Sequence, residues 1–247
     1  MGIDRQDLVD RLAGGNGRPG NPGFLGDENP FVVPVEQYDF DLAGANALLD
    51  DAGYARGDGG SRRGADGAVL SFELLVSNLE AALGELVSAA LADLGVEKTV
   101  RAAEPGPQLF GAKFTGQYDM ALLGFPGPSA GSLNGDPDLL RRVFSSEAPP
   151  SLTGATGYVS SEFDELAARQ RITFDEAERS TIVAQMQEII AEDLPILSLY
   201  SPDTSFVFRK DVLEEWYLTP GRYPIDIDNK QLFITGLATG TTIRPTE

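Results

Sequence analysis

Carboxylates dominate the side chains of this sequence that could do acid–base or metal chemistry. The 247 residues include 38 Asp and Glu but neither His nor Cys. That composition excludes Ser-His-Asp triads, thiol nucleophiles, and zinc sites built from imidazole or thiolate ligands. Pairs of carboxylates, which suffice for glycoside hydrolysis, remain chemically available. Carboxylate-dependent hydrolysis is therefore a class of catalysis that the composition leaves open.

The spacing of the acids predicts neither a catalytic constellation nor a metal or cofactor site. Residues 134–138, Asn-Gly-Asp-Pro-Asp, predict a helix start with Asp136 as N-cap and Pro137 at the first helical position. The Asp-Ile-Asp-Asn stretch at 226–229 lacks the glycine and the distal glutamate of an EF-hand. Glu73 lies inside an apolar run, but alternation along a strand places it on the solvent face.

The segment YDMALLGFPGPS, residues 118–129, predicts a buried strand that delivers Phe125 to a glycine- and proline-rich loop. Open α/β folds bind ligands at the carboxyl ends of their strands, and Gly124 and Gly127 would let a ligand approach the backbone closely. A hydrophobic plug in a tight turn is the alternative interpretation. The candidate ligand-binding residues are Gly124, Phe125, Pro126, Gly127, Pro128, Ser129, Asn134 and Asp136.

The most regular stretch of the sequence predicts a strand, a helix and a second strand. Residues 68–78 are β-rich and end at Asn78, a good N-cap. Leucines at helical spacing follow until Gly95, and residues 96–103 alternate as a strand does. This order predicts a right-handed parallel crossover, and hence an α/β fold in which helices flank a mixed β-sheet.

The remaining elements are predicted from apolar spacing, caps and breakers. Helices are predicted at 3–12, 42–52 with Asp41 as N-cap, 107–115, 137–144, 161–172 and 175–193. The last of these is predicted to be amphipathic, with an apolar face of Ile182, Val183, Met186, Ile189 and Ile190. Strands are predicted at 118–124, 194–201 and 204–209, the last two meeting at a Ser201-Pro202-Asp203 turn. Irregular structure is predicted for 14–37, with a few apolar anchors, and a flexible surface loop for 55–67, which lack apolar periodicity.

Charge and hydropathy limit the partners of the chain. The net formal charge of −19 repels phosphate backbones and anionic membranes, so nucleic acid is not an expected partner. No run approaches the roughly 18 apolar residues of a membrane helix, and no basic segment precedes an apolar stretch, so a signal peptide is absent from this chain. The opening Met1-Gly2, followed at once by helical spacing, is typical of a cut edge.

Ordered motifs along the chain resemble those of family 5 extracellular solute-binding proteins, the peptide, oligopeptide and nickel receptors of ABC importers. IDRQDLVDRLAGGNGRPGNPGF resembles the start of the family's C-terminal lobe, LGELVSAALADLGVEKTVRAAE its crossover helix and strand, and GQYDMALLGF its G-x-Y-D-x-x-x-x-G-W strand. Two further motif regions are carried by Tyr38, Asp41, Ala45, Leu48, Leu49, Ala52, Gly53 and Tyr54, and by Gly157, Tyr158, Phe163, Asp164, Leu166, Asp175, Arg179, Asp193, Pro195, Leu199 and Tyr200.

The resemblance covers residues 3 to about 217 and implies both fold and function. Residues 1–217 would form the C-terminal lobe of a two-lobed, periplasmic-binding-protein-like fold, and 218–247 a tail returning toward the other lobe. The implied protein is no enzyme and uses no cofactor. The resemblance implies a monomeric, extracytoplasmic receptor that encloses a small, peptide-like solute between its lobes and presents it to an ABC permease. Phe125 would face that cleft.

Two departures from the family pattern bear on the ligand. The family often has Trp in place of Phe125, followed within a few residues by an Asp that pairs with a peptide's α-amino group. Here Pro126, Gly127 and Pro128 occupy that stretch, and the next acid is Asp136. The family chain is also about twice as long, so its signal segment and other lobe are missing. A carboxylate-dependent α/β hydrolase and an interaction module without a small ligand are the alternative functions.

Overall fold

Local sequence signals set most element boundaries in the computed structural model of the chain. The structure describes residues 1–27, 29–104, 116–124, 136–148 and 157–203, together with residues 207, 209 and 211. The helices are α1 (Arg5–Ala13), α2 (Leu42–Asp51), α3 (Ala81–Asp93), α4 (Asp138–Phe144), α5 (Ser161–Ile172) and α6 (Glu176–Asp193). The strands are β1 (Gly17–Pro19), β2 (Ala55–Arg56), β3 (Arg62–Arg63), β4 (Ser71–Ser77), β5 (Glu97–Ala103), β6 (Met120–Leu122) and β7 (Tyr200–Pro202).

The predicted parallel crossover is confirmed and forms the centre of the described structure. Strand β4 lies between β5 and β6 and runs parallel to both. Leu74 is paired with Val100 on one side and with Met120 on the other. Helix α3 connects β4 to β5, and its buried Leu83 and Val87 pack in one cluster with Leu74. The leucine spacing of the helix therefore matches the sheet face that it covers.

A second apolar core lies among the helices of the C-terminal half. The amphipathic face predicted for α6 is confirmed, since Ile182, Val183, Met186 and Ile190 are buried. The apolar anchors of the 14–37 segment pack against these helices, with Leu25 fully buried and Phe24, Phe31 and Val32 partly buried. An aromatic group completes the cluster. Its ring pairs are Phe24–Phe144, Phe144–Tyr158, Phe144–Phe163 and Tyr158–Phe163.

Helix caps confirm some of the predicted starts and correct others. The side chain of Asp41 accepts a hydrogen bond from Gly44 N at the start of α2, and Asp175 accepts one from Glu178 N at the start of α6. Before α3, however, the capping side chain is that of Ser77, not Asn78, because a short 3₁₀ turn (Asn78–Glu80) precedes the α-helix.

Three predicted loop or turn segments contain strands instead. Residues 55–67 hold an antiparallel hairpin of β2 and β3, where a flexible loop was predicted. The 14–37 segment contains β1, which pairs with β7. Ser201 and Pro202 lie in β7 and not in a turn, because Arg18 and Gly17 supply their partners across the sheet. The predicted helix at 107–115, most of the strand at 204–209 and the tail 218–247 lie outside the described residues.

Residues 55–67 form an ordered hairpin because the side chain of Arg62 is buried and hydrogen-bonded. This side chain is 1% exposed and reaches acceptors on α2, just before β2 and just after α3. The Nε donates to Leu94 O (2.7 Å), Nη1 to Asp50 Oδ1 (2.5 Å) and to Tyr54 O, and Nη2 to Asn46 O and Oδ1. Buried charges persist in proteins when they are paired and hydrogen-bonded. Arg62 therefore fixes the hairpin against α2 and the end of α3.

No helix within the described part of the chain is long and apolar enough to span a membrane.

We expect Arg62→Met to lower the free energy of unfolding by about 3 kcal/mol, because several buried acceptors would lose their donor at once. Urea unfolding followed by circular dichroism measures this. Arg63→Met is the matched control: Arg63 lies next in the same strand, is exposed and donates to Gly67 O. Equal loss from the two variants would contradict the role assigned to Arg62.

Gly84 lies where α3 crosses β4 closely. A Cβ added at Gly84 would lie 2.9 Å from Cγ1 of Val76, which is 4% exposed. We expect Gly84→Ala to lower the free energy of unfolding by about 1 kcal/mol, since overpacking outweighs the gain in helix propensity. In a Val76→Ala background the same change should stabilise the protein. A stabilising Gly84→Ala in the wild-type background would contradict this packing.

Candidate functional site

The three parallel strands end at one edge of the sheet, which we call the carboxyl edge. It comprises Ser77 at the end of β4 with the following residues 78–80, Glu104 after β5, and residues 123–124 after β6. Parallel pairing forces these chain segments together, because all three strands run in the same direction. This is the edge at which α/β folds bind ligands.

Polar and apolar groups both lie at the carboxyl edge. The Ser77 hydroxyl accepts a hydrogen bond from Leu79 N (3.2 Å), which shapes the turn into α3. The Nδ2 of Asn78 donates to Glu104 Oε1 (2.7 Å) and so joins the ends of β4 and β5. Leu79 is 80% exposed. The edge thus offers an apolar contact beside hydrogen-bonding groups.

Glu80 lies between the ends of β4 and β6. A Cβ built on Gly124 would lie 3.1 Å from Glu80 Oε1, so the carboxylate faces the glycine that begins the loop after β6. Tyr200 is also nearby: burial, and then the negative charge of Glu80, raise the pKa of the Tyr200 phenol. Gly124, Glu80 and Tyr200 therefore form one wall of the carboxyl edge.

A groove of about 450 Å³ adjoins the edge between α3 and β5. Its walls are largely small and apolar, and Val100 on β5 is 50% exposed. The Oγ of Ser88 is buried in this region without a hydrogen-bond partner in the described structure. The lining residues are Val76, Ser77, Asn78, Ala81, Gly84, Glu85, Ser88, Val100 and Ala102.

Asp136 belongs to a polar network among α4, α5 and α6. Its side chain accepts a hydrogen bond from the backbone N of Asp138, the first residue of α4 (3.0 Å), and another from Arg179 Nη2 (2.8 Å). Arg179 also donates to Gln170, which is fully buried and donates to Asp138 Oδ1 (2.8 Å). Asp138 in turn forms a two-bonded ion pair with Arg141 at 2.6 and 2.7 Å. Asp136 is thus committed to fixing the start of α4.

The structure describes two of the sequence-predicted site residues. Gly124 is exposed at the carboxyl edge, and Asp136 is exposed but ion-paired with Arg179. The predicted N-cap is corrected by one residue: α4 begins at Asp138 and its N-cap residue is Pro137, although Asp136 does accept a hydrogen bond from Asp138 N. Outside the described residues lie Phe125, Pro126, Gly127, Pro128, Ser129 and Asn134.

Sequence reasoning missed Glu80 and Tyr200 as site residues. Ser77 and Glu80 match the S-x-x-E spacing of a capping box, a pattern that predicts a structural role for the glutamate. In the fold, however, Glu80 lies beside Gly124, which follows β6, a strand from a later part of the chain. Neither sequence distance nor composition indicates that contact.

Several polar residues of the family-like motifs form hydrogen bonds between helices and loops and do not line the carboxyl edge. The Tyr38 hydroxyl donates to Ala191 O (2.9 Å), and the Tyr158 hydroxyl donates to Asp193 Oδ2 (2.6 Å). Asp164 accepts from the backbone and side chain of Ser146. These motif residues therefore hold α6 and α5 against the loops that precede them.

Three of the described acids are each engaged by an arginine. The hydrogen bond from Arg209 lowers the pKa of Asp211, and Arg141 has the same effect on Asp138, whereas a general acid needs a raised value. Glu73 is ion-paired with Arg101 at 2.7 Å. Among the described residues no group of three or more acidic side chains could hold a metal ion.

An α/β lobe with an open carboxyl edge is the class of structure seen in solute-binding proteins, and comparison with known proteins agrees. The family model described as bacterial extracellular solute-binding proteins, family 5 Middle, matches residues 1–145, more than half of the chain. The chain therefore belongs to bacterial extracellular solute-binding protein family 5. The matched range contains the whole described parallel sheet.

Curated relatives come from Pseudomonas aeruginosa (strain UCBPP-PA14). Di/tripeptide-binding protein 4 is 30% identical over 137 residues, which are 55% of this chain and 24% of that protein. Di/tripeptide-binding protein 2 is 25% identical over 229 residues, 86% of this chain and 38% of that protein. The chain thus spans about a quarter to two fifths of the length of these relatives.

Solved structures share the fold. The oligopeptide-binding protein AppA from Bacillus subtilis, in complex with a nonapeptide, has a TM-score of 0.71 at 22% identity, over 92% of this chain and 45% of that one. NikZ from Campylobacter jejuni, in complex with Ni(L-His), has a TM-score of 0.68 at 22% identity, over 81% and 40%. At this identity the likeness establishes a periplasmic-binding-protein fold.

The Asp138 network predicts how stability depends on pH. Burial disfavours the Asp138 carboxylate, but the hydrogen bonds and charge of Arg141, aided by Gln170, outweigh it and lower the pKa. A carboxyl with a lowered folded-state pKa stabilises the protein above its unfolded pKa of about 4. That contribution is lost as the pH falls through the folded-state value. With no histidine present, stability should be nearly flat between about pH 6 and 8.

We expect Asp138→Asn to cost about 1–2 kcal/mol at pH 7 and to flatten the loss of stability below about pH 4. Urea unfolding at a series of pH values measures both effects. Asp58→Asn, at an exposed turn position, is the control and should change neither. A sharp unfolding transition near pH 6.5 in the wild-type chain would contradict the assignment.

Proposed function

We propose that this chain is the C-terminal lobe of an ABC-importer receptor, binding a small peptide-like solute in a cleft completed by a second lobe. The observation that carries the proposal is the family match across the whole described parallel sheet, together with that sheet's exposed carboxyl edge. A closing cleft needs one concave wall from each lobe, and this edge has the groups for one wall. The receptor does no bond chemistry; it binds, closes and presents its solute to a permease.

The peptide-like class of ligand rests on the named relatives. Di/tripeptide-binding proteins of Pseudomonas aeruginosa are the curated sequences that match, one of them at 30% identity. Solved neighbours are named with a nonapeptide, a nickel–histidine complex and stachyose, so the fold by itself does not select a ligand. The relatives therefore favour peptides.

The proposed ligand wall combines the loop after β6 with the described strand ends. From this loop, Gly124 would allow close backbone approach and Phe125 would pack on the solute, with Pro126, Gly127, Pro128, Ser129 and Asn134 alongside. Asp136 fixes the base of the same loop through Arg179, so its role is positioning. Leu79 and Asn78 extend the wall across β4.

The proposed setting follows from the family. The receptor works as a monomer outside the cytoplasmic membrane, since the family is named as extracellular. Residues 218–247 are proposed to return toward the second lobe. No cofactor is needed for binding and release. The hydrolase alternative has no support from the relatives, whose names describe binding.

Weak binding by this chain is the testable consequence. One lobe leaves the other face of a ligand in water while the ordering cost of association remains. We expect the 247-residue chain to bind trialanine with a Kd of about 1 mM or weaker, and not to hydrolyse it. Nuclear magnetic resonance (NMR) titration of backbone amides measures this, with maltotriose as a sugar control. Perturbed amides should cluster at residues 77–80 and 124.

Phe125→Ala should weaken trialanine binding about tenfold, the effect of losing an aromatic contact of roughly 1.4 kcal/mol. Phe40→Ala is the control, since Phe40 is 51% exposed and lies before α2. Submicromolar binding by the chain would contradict the single-lobe proposal. Equal perturbation by maltotriose, or no effect of trialanine on the carboxyl edge, would contradict the peptide class.

A further inference from the structure

Glu80 stands out because its carboxylate has no partner in the described structure. The side chain is half-buried, yet the described residues give it neither a hydrogen bond nor an ion pair. Other acids of the sheet are committed: Glu104 accepts from Asn78, Asp119 from Glu73 N, and Glu73 from Arg101. Glu80 thus retains its accepting capacity at the carboxyl edge.

The carboxylate is held in a defined place. Any side chain at residue 124 would crowd it, since a Cβ there would lie 3.1 Å from Oε1. On another side lies Tyr200, which packs against the apolar cluster that includes Leu74 and Val76. The raised pKa of Tyr200, caused first by burial and then by the charge of Glu80, is consistent with this proximity. The Glu80 carboxylate therefore faces Gly124 and lies within electrostatic range of Tyr200.

A purely structural role accounts for only part of this arrangement. Glu80 lies in the first turn of the helical segment that continues into α3, where a negative charge stabilises a helix. That effect requires no approach to Gly124. The carboxylate oxygens still have unused accepting capacity, which a cationic hydrogen-bond donor would fill.

We propose that Glu80 is a specificity-determining residue whose carboxylate binds a primary ammonium group of the solute. The inference rests on the proposed function, because it takes the carboxyl edge as the ligand wall. An ammonium group is compact, carries a positive charge and donates three hydrogen bonds, which suits a single carboxylate next to a glycine. The group could be an α-amino terminus or a lysine side chain; both present the same chemistry.

Backbone-amide NMR titration of the 247-residue chain tests the proposal with three probes. Trialanine has an α-ammonium, N-acetyl-Ala-Lys-Ala has a side-chain ammonium, and N-acetyl-trialanine has neither. The probes are taken to about 20 mM, enough to detect millimolar binding. We expect one or both ammonium probes to perturb residues 77–80 and 124 with at least fivefold lower Kd than N-acetyl-trialanine. Which of the two binds identifies the source of the ammonium group.

Three variants distinguish direct binding by the Glu80 carboxylate from long-range attraction by the negative charge of the chain. Glu80→Gln should abolish the difference between ammonium and acetylated probes. Glu85→Gln, exposed on the same helix, and Glu104→Gln, at the same edge, should each retain it. Thermal unfolding of all three variants checks that they are folded, and a folded Glu80→Asp that recovers part of the preference would add support.

The outcomes distinguish the two proposals. If the acetylated probe binds as well as trialanine, or if Glu80→Gln keeps the preference, the role of Glu80 is overturned while peptide binding at the edge stands. If Glu104→Gln loses the preference as completely as Glu80→Gln, long-range charge replaces specific contact and the inference also fails. If no probe perturbs the carboxyl edge, the proposed function fails and this inference with it.

Discussion

Strand β4 pairs on both sides with parallel strands, and the location of the candidate site follows from that pairing. Because β4, β5 and β6 run in one direction, the segments that leave them meet at a single edge. Residues 77–80 and Gly124 come from separate parts of the chain and become neighbours there. An antiparallel neighbour would have sent one of these segments to the opposite edge. The site is thus a consequence of strand direction.

Two polar arrangements hold the rest of the described lobe around this sheet. Arg62 is buried among backbone carbonyls of Leu94, Tyr54 and Asn46, and so fixes the hairpin to α2 and to the end of α3. In the C-terminal half, Gln170 is fully buried between Arg179 and Asp138. Both arrangements satisfy their donors with several acceptors, which is the condition under which buried polar groups persist. They anchor the elements from which the ligand wall projects.

The described groups at the carboxyl edge suit the recognition of a small solute, which is the role proposed for it. The groups at the edge are a carboxylate, an amide, a phenol and exposed apolar surface. In the proposed function, such groups would bind and orient a small solute, and closure against a second wall would convert binding into a conformational signal.

The sequence alone determined the features that depend on neighbouring residues. The cap Asp41, the apolar face of α6 and the parallel crossover were all predicted, because each is encoded within one turn, one helix or one β-α-β unit. The family was also predicted, because its motifs are short stretches of neighbouring residues that follow one another in a fixed order. Phe125 stays a prediction from its strand and loop.

Tertiary structure decided what depends on distant residues. The stretch around Arg62 has the composition of a surface loop, and only packing against α2 and α3 makes its guanidinium a buried centre. Asp136 was grouped with the ligand loop, yet Arg179 engages it. The spacing of Ser77 and Glu80 indicates a helix cap, but strand pairing brings Gly124 to Glu80 and leaves its carboxylate facing the open edge. Contacts between separate crossovers have no local pattern, so only the folded chain reveals them.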